Sequence, residues 1–336
     1  MTRPTPAMRR AMAEAEVGDD FYREDPTVRQ LEEETAALLG KEAALFVPSG
    51  SMGNEISVAV HTHRGQSIFL DRFSHMVQTE GRAVTEMLGR LFVMREGNRG
   101  RMTAEEVDAA GPGAGTKLGL VEVENTHNWG SGAIYPKAVF ESVARAARRR
   151  GLPLHLDGAR IWNASAATGL PLDALAGEAD SVMVCYSKGL GAPVGSAVAG
   201  TSSFIEEARG ARKMLGGAMR QAGILAAGAL HALRHHRERL VEDHARAKRL
   251  AEAIAATEGL VLDPGEIDTN ILIASLRARP ERVHDFARVV AENGVLIAPF
   301  GGPGRFRAVT HLDVDDAGIE RAIAAVRGAA RSVLVP

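Results

Sequence analysis

Between residues 43 and 200, short apolar runs alternate with longer amphipathic stretches. The runs AALFVPS (43–49), SIFLD (67–71), LFVM (91–94), LGLVEVE (118–124), LPLHLD (152–157), SVMVCY (181–186) and GSAVAG (195–200) have the length and flanking turn residues of strands. Most of them are separated by Ala-, Glu- and Arg-rich segments of helical spacing, such as PKAVFESVARAARRRG (136–151). This alternation predicts an α/β domain with a mainly parallel sheet covered on both faces. Runs 181–186 and 195–200 lie too close together for a helical crossover, so they are expected to pair antiparallel within a mixed sheet. Upstream, EDPTVRQLEEETAALLG (24–40) predicts a helix. Asp25 suits its cap, Pro26 its first position and Gly40 its end, and Val28, Leu31, Leu38 and Leu39 form the apolar stripe.

From about residue 205 the pattern changes. A helical tract runs from Gln221 to Gly259, with Leu240, Ala247, Leu250 and Ile254 in period. NILIAS (270–275), GVLIAP (294–299) and FRAVTH (306–311) then predict three strands of a small α+β domain. The expected organisation is an N-terminal arm (1–14), a large domain (15–235) and a small C-terminal domain (236–336).

Composition narrows the function classes. The chain has 336 residues, 45% hydrophobic and 24% charged, with a formal net charge of −2, an ordinary soluble balance. It carries no global basic field for nucleic acid or an anionic membrane, and its Arg-rich pieces, 144–151 and 235–240, read as solvated helix faces. No run of eighteen uncharged apolar residues predicts a membrane span, and the opening MTRPTPAMRRAM lacks the apolar core of a signal peptide. The single cysteine, Cys185, excludes an intrachain disulfide and suits a reducing, cytoplasmic setting. No metal site is expected: the pairs His61/His63 and His235/His236 lack carboxylates or cysteines at ligand spacing and read as surface histidines.

The chemistry gathers at strand ends, where open α/β sheets bind ligands. Ser49 to Asn54, SGSMGN, follows the first strand and precedes a helix expected near Glu55. Its glycines would let backbone amides approach an anion such as phosphate, although taken alone the stretch is better explained as an ordinary strand-to-helix turn. Asp157 ends one strand, as a cap or a site residue. Lys188 follows the next, thirty-one residues on, about one βαβ unit. A lysine beside Val182, Met183 and Val184 is costly to bury unless it is paired or used. An anion loop, a carboxylate and a lysine amine whose pKa burial would lower are what pyridoxal phosphate requires. His75 and His127 also follow strands and are candidates to flank its ring.

LHLDGARIWNA, SKGLGAPVGS, ENTHN and RKMLGGAMRQAG, together with GDDFYREDPTVRQLE, FVPSGSMGN and FRAVTHLDV, resemble the threonine aldolases in family order from residue 2 to about 314. These are pyridoxal-phosphate enzymes of fold type I, related to the aromatic amino acid β-eliminating lyases. The resemblance implies that Lys188 bonds the cofactor, Asp157 pairs with its ring nitrogen and His75 stacks on the ring. It implies that Gly50 and Ser51 hold the phosphate, with Ser49 and Ser187 in the cofactor-binding set. Arg160 would sit at the pyridine oxygen or the substrate carboxylate, Arg307 at that carboxylate, and His127 near the substrate hydroxyl. Lys213 and Arg220 would reach the cofactor region, Lys213 from a neighbouring subunit, unless they form a surface salt bridge. Family members open with an RSDTVT-like segment whose serine meets the carboxylate. This chain begins MTRPT where that segment would be ending; either the start was assigned late or the arm is short, and a short arm would remove one donor, about 1.5–3 kcal/mol for a charged group.

The implied activity is that of a low-specificity L-threonine aldolase, an aldehyde-lyase. It would cleave L-threonine, L-allo-threonine and other β-hydroxy-α-amino acids to glycine and an aldehyde. His127, or a water held by His127 and His75, would take the hydroxyl proton. A β-eliminating lyase acting on an amino acid is the alternative, distinguished by pyruvate as product. The implied partners are a small amino-acid substrate and further copies of the chain, as a homodimer or homotetramer with active sites at the dimer interface. No nucleic acid or membrane partner is expected.

Overall fold

The computed structural model describes residues 2–334 apart from 112, 114 and 115. Seven strands build the larger of its two sheets: β1 (Ala43–Val47), β2 (Ser67–Asp71), β3 (Leu91–Arg95), β4 (Leu118–Glu124), β5 (Leu154–Gly158), β6 (Ser181–Cys185) and β7 (Ser196–Gly200). Their order is β1-β7-β6-β5-β4-β2-β3, and only β7 runs antiparallel to its neighbours. All seven runs of the sequence pattern are thus strands, and β6 and β7 pair antiparallel as their short connection requires. In register, Glu124 lies beside Asp157 and Asp157 beside Met183, so the carboxyl ends of β4, β5 and β6 open onto one crevice.

The edge strand β1 is finished by charged side chains. Glu32 Oε1 accepts from Phe46 N–H (2.8 Å), and Arg212 Nη1 donates to the Phe46 carbonyl (2.8 Å). Arg212 also pairs with Asp20 (2.9 Å), and Arg209 with Glu32 (3.0 Å). Asp20, Glu32 and Arg212 are buried. They satisfy backbone groups that an edge strand would otherwise leave open to another chain. The expected helix is present as Pro26–Leu39, with the Asp25 carboxylate accepting from Val28 N–H and Gly40 closing it at φ +63°.

A second, antiparallel sheet contains β8 (Leu260–Leu262), β9 (Ile271–Leu276), β10 (Ala298–Pro299) and β11 (Arg305–Val309), in the order β10-β11-β9-β8. Leu272, Phe286, Phe306 and Val326 lie in its core. Helix Leu240–Ala255 serves both cores, Leu240 joining that of the large sheet and Leu250 and Ile254 that of the small one. The loop after β4 docks on β9, where Ser131 Oγ donates to the Ile271 carbonyl and accepts from Ile273 N–H. Near the N-terminus, helix Pro6–Ala13 lies against helix Gly223–His235 and buries Met8.

Four expectations need correction. The helix after β1 begins at Gly50, not near Glu55, because Ser49 Oγ accepts from Met52 N–H and turns Gly50–Gly53 into its first turn. Of GVLIAP only Ala298–Pro299 pair as strand. Gly294, at φ +78°, and the exposed Leu296 lie in the crossing from helix Val283–Glu292. β8 was not expected; its short LVL lies directly after Gly259. The tract from Gln221 breaks between His235 and Leu240, where His236 turns inward and its Nδ1 donates to the Leu190 carbonyl. His236 and His61 are therefore not simple surface histidines: His61 is half-buried and stacks on Phe204. Among the described residues, no helix is long and apolar enough to cross a membrane.

Replacing Arg212 by Met strands the Asp20 carboxylate and the Phe46 carbonyl in a buried setting. Loss of one partner of a buried pair costs about 3–5 kcal/mol, so R212M should unfold at markedly lower urea than the parent with an unchanged slope. An unshifted midpoint would show that the network contributes nothing to the edge.

Candidate active site

Lys188 stands three residues beyond β6, and two anchors fix that strand end. Trp162 Nε1 donates to the Cys185 carbonyl (2.9 Å), and the Tyr186 hydroxyl bonds Thr35 (2.6 Å). The chain then turns back on itself. Gly191 N–H donates to the Lys188 carbonyl, and Tyr186 N–H to that of Gly195. Gly191 and Gly195 have φ of +81° and +108°, and a Cβ at Gly195 would lie 2.5 Å from the Phe46 ring, so only glycine serves there. The Lys188 side chain is half-buried and has no hydrogen bond or ion pair among the described residues.

Asp157, at the end of β5, is buried and firmly held. Its Oδ1 accepts from Ala159 N–H (3.0 Å) and its Oδ2 from Asn54 Nδ2 (2.9 Å). Behind Asn54 runs a chain of buried polar groups. His155 Nε2 donates to Asn54 Oδ1 (3.1 Å), while Ser181 Oγ meets both His155 Nδ1 (2.8 Å) and His61 Nε2 (2.8 Å). Burial lowers the pKa of His155 to about 3 and of His61 to about 4, so both are neutral. One consistent set of donors therefore runs from His61 through Ser181, His155 and Asn54 to the Asp157 carboxylate.

His75 exposes about a quarter of its side chain, 27%, enough to meet a ligand. Its Nδ1 is tied to Glu80 (2.8 Å) and its backbone N–H donates to Glu124 (2.7 Å). Burial alone would lower its pKa, but the Glu80 hydrogen bond and the charges of Glu80 and Asp157 prevail and raise it, against the opposing charge of Lys188. His75, Asp157 and Lys188 thus share one electrostatic neighbourhood.

His127 is placed otherwise. It is only 1% exposed, its Nδ1 accepts from Gly130 N–H (3.0 Å), and its Nε2 faces Asp71 (3.4 Å) and Glu124 (3.9 Å). Burial works against its protonation, yet the charge of Glu124 and the Asp71 contact raise its pKa. Its Nδ1 is thus engaged, while the buried Nε2 faces two carboxylates without a hydrogen bond to any described residue.

Arg160, just after β5, is half-buried and, among the described residues, its guanidinium has neither hydrogen bond nor ion pair. Arg307, on β11, donates to Asn128 Oδ1 (2.9 Å). Its pKa is lowered by burial and then by the positive charge of Arg160, so the two guanidinium groups share one electrostatic neighbourhood. Ser49 is used as the helix cap, while Gly50 and Ser51 open the helix with N–H groups in its first turn. A Cβ on Gly50 would come 2.7 Å from Cys185 Sγ, so this glycine serves the close packing of helix on β6. The Ser51 and Ser187 hydroxyls have no partner among the described residues. Lys213 and Arg220 are not brought to this group within one chain. They are exposed, both over the Phe21 ring, and Arg220 pairs with Asp19 (2.8 Å), the surface salt bridge considered above.

Asn54, Glu80, Glu124 and Asn128 hold the candidate residues but escaped the sequence reading. The acids of LGLVEVE carried a usable signal, since charges inside a buried strand need a reason as Lys188 did. Glu122 in that strand is wholly buried with neither oxygen bonded to a described residue; burial and then Asp157 and Glu124 push its pKa far up, so it keeps its proton.

These residues fit pyridoxal phosphate: an unpartnered amine, a clamped buried carboxylate, a helix N-terminus with free hydroxyls and an unpartnered arginine. The family described as beta-eliminating lyase matches residues 1–277. The chain is 42% identical to low-specificity L-threonine aldolase 1 of Arabidopsis thaliana, over 94% of this chain and 90% of that one. It is 36% identical to the low specificity L-threonine aldolase of Escherichia coli K12, over 94% and 92%. A solved threonine aldolase from Leishmania major shares the fold at a TM-score of 0.82, with 19% identity and coverage of 98% and 97%. The crevice and these likenesses agree: the chain belongs to the beta-eliminating lyase family and, within it, to the threonine aldolases.

Proposed function

We propose that the protein is a low-specificity L-threonine aldolase that cleaves L-threonine, L-allo-threonine and other β-hydroxy-α-amino acids to glycine and an aldehyde. The observation that carries this is the unpartnered Lys188 amine beyond β6, sharing its surroundings with clamped Asp157 and half-exposed His75. Pyridoxal phosphate, when bound, supplies an aldehyde that condenses with amines and a ring that accepts the electron pair of a bond broken at the substrate α-carbon.

Lys188 supplies the amine for that condensation. The amides of Gly50 and Ser51 and the hydroxyls of Ser51 and Ser187 bind the phosphate, where the helix dipole favours an anion. Asp157 contributes a fixed negative charge that keeps the ring nitrogen protonated, and Asn54 prevents the carboxylate from turning away. Arg160 and Arg307 bind the α-carboxylate, the planar guanidinium suiting its two oxygens. His75 removes the β-hydroxyl proton at Nε2, while Glu80 at Nδ1 stabilises the resulting cation. His127 orders the 124–130 loop.

We also propose the division into arm (1–14), large (15–235) and small (236–336) domains, supported by the helix break at 236–239 and the two cores. A homodimer or homotetramer is proposed because Tyr22, Met214 and Ile224 are exposed at 64%, 70% and 47% on adjoining segments beside Lys213 and Arg220. There Lys213 and Arg220 would reach a neighbouring copy's cofactor. The lone, buried Cys185 suits the reducing cytoplasm.

K188A should lower glycine release from L-threonine at least about 10³-fold; retained cleavage, or pyruvate in place of glycine from the parent, would overturn the assignment. Because the Glu80 hydrogen bond and charge raise the His75 pKa, E80Q should move the acidic limb of the kcat/KM–pH profile to lower pH. An unmoved limb would remove His75 as the base. Sedimentation of M214D should show a smaller assembly than the parent; an unchanged one would place the interface elsewhere.

A further inference from the structure

A ladder of rings and cations crosses the seam between the two sheets and ends on Arg307. The Arg72 guanidinium sits 4.9 Å from the Phe73 ring centre, and Phe73 stacks on Trp129 at 5.7 Å and 20°. Trp129 meets Phe300 at 4.3 Å, and Arg307 lies 4.5 Å over the Phe300 ring. Phe73 follows β2 and Trp129 follows β4, whereas Phe300 follows β10 and Arg307 is on β11. Residue 301 must be glycine for this contact, since a Cβ there would come 2.5 Å from the Trp129 ring.

The small-sheet side needs such a support. β10 is two residues long, and Gly301, Gly302 and Gly304 after Phe300 all have positive φ. A glycine-rich turn on so short a strand has little rigidity of its own. Among the described residues, the Arg307 side chain has one other partner, Asn128, the residue before Trp129. Both anchors of its guanidinium therefore depend on the 128–129 step. Trp129 is half-buried and in ring contact with both Phe73 and Phe300, so it supports both neighbours.

We propose that Trp129, wedged between Phe73 and Phe300, is a positioning residue that sets the reach of Arg307 toward the substrate carboxylate. This rests on the assignment of that carboxylate to Arg307. Cation–π contact fixes the guanidinium plane, and the bond to Asn128 fixes its rotation. The remaining donors are then oriented before substrate arrives.

The test is calorimetric titration of the holoenzyme with L-alanine and with L-alaninol, which has the same amine but no carboxylate. W129A should loosen L-alanine about tenfold and L-alaninol by less than about twofold, and W129F should restore L-alanine binding. F300L, a milder change, should shift in the same direction. In an R307A background W129A should add nothing. Equal loosening of both ligands, or unchanged alanine binding in W129A beside weakened binding in R307A, would overturn the ladder's role while leaving the Arg307 assignment intact. Unchanged alanine binding in R307A would overturn both. Loss of threonine cleavage in K188A tests the proposed function independently of either.

Discussion

A single buried negative charge at the end of β5 organises the crevice. Two N–H donors hold the oxygens of Asp157, and Arg160 and His75 lie within reach of its charge. The chain from His61 through Ser181 and His155 to Asn54 has one consistent orientation, which makes Asn54 Oδ1 the acceptor and turns Nδ2 toward Asp157 at 2.9 Å, with Glu80 farther at 3.5 Å. Low pKa values of the two histidines help, since a neutral imidazole donates with one nitrogen and accepts with the other.

The acids around this charge are divided by their partners. Glu80 and Glu124 are engaged with His75 and the backbone, whereas Glu122 has no partner among the described residues and holds its proton. This division gives the two loop histidines different surroundings. Both have raised pKa values, but His75 keeps a nitrogen and a quarter of its surface free, while His127 is enclosed. Exposure and free lone pairs, more than pKa, decide which of them can touch a substrate.

The second sheet contributes Arg307 from a distance in sequence and across a seam in space. Its neighbour in charge, Arg160, comes from the large sheet, so the two guanidinium groups are neighbours only while the two sheets stay in one relation. Bonds from Ser131 to β9 and the ring contacts at Trp129 hold that relation through the loop after β4. The same loop bonds Glu124 through Asn128, which links the Arg307 end of the crevice to His75.

Strands and the Pro26–Leu39 helix were legible in the sequence because burial on both faces produces unbroken apolar runs and because caps are local. Lys188, Asp157 and the helix-opening Gly50–Ser51 were legible for the same reason, as polar interruptions next to those runs. The start of the Gly50 helix was missed because its first turn contains two glycines and is set by packing on Met183 and Cys185. The true strand content of 294–299 depended on pairing with a distant β11. Which histidine is enclosed, how Asn54 reaches Asp157 and what stands behind Arg307 involve partners distant in the chain, such as Asn54 with Asp157, 103 residues apart, and Asn128 with Arg307, 179 apart. By itself the sequence determined the elements, the candidate lysine and its carboxylate, since burial and local capping leave marks along the chain. The tertiary structure alone decided the hydrogen-bond partners and the exposure of each group, because those follow from distances that no local pattern encodes.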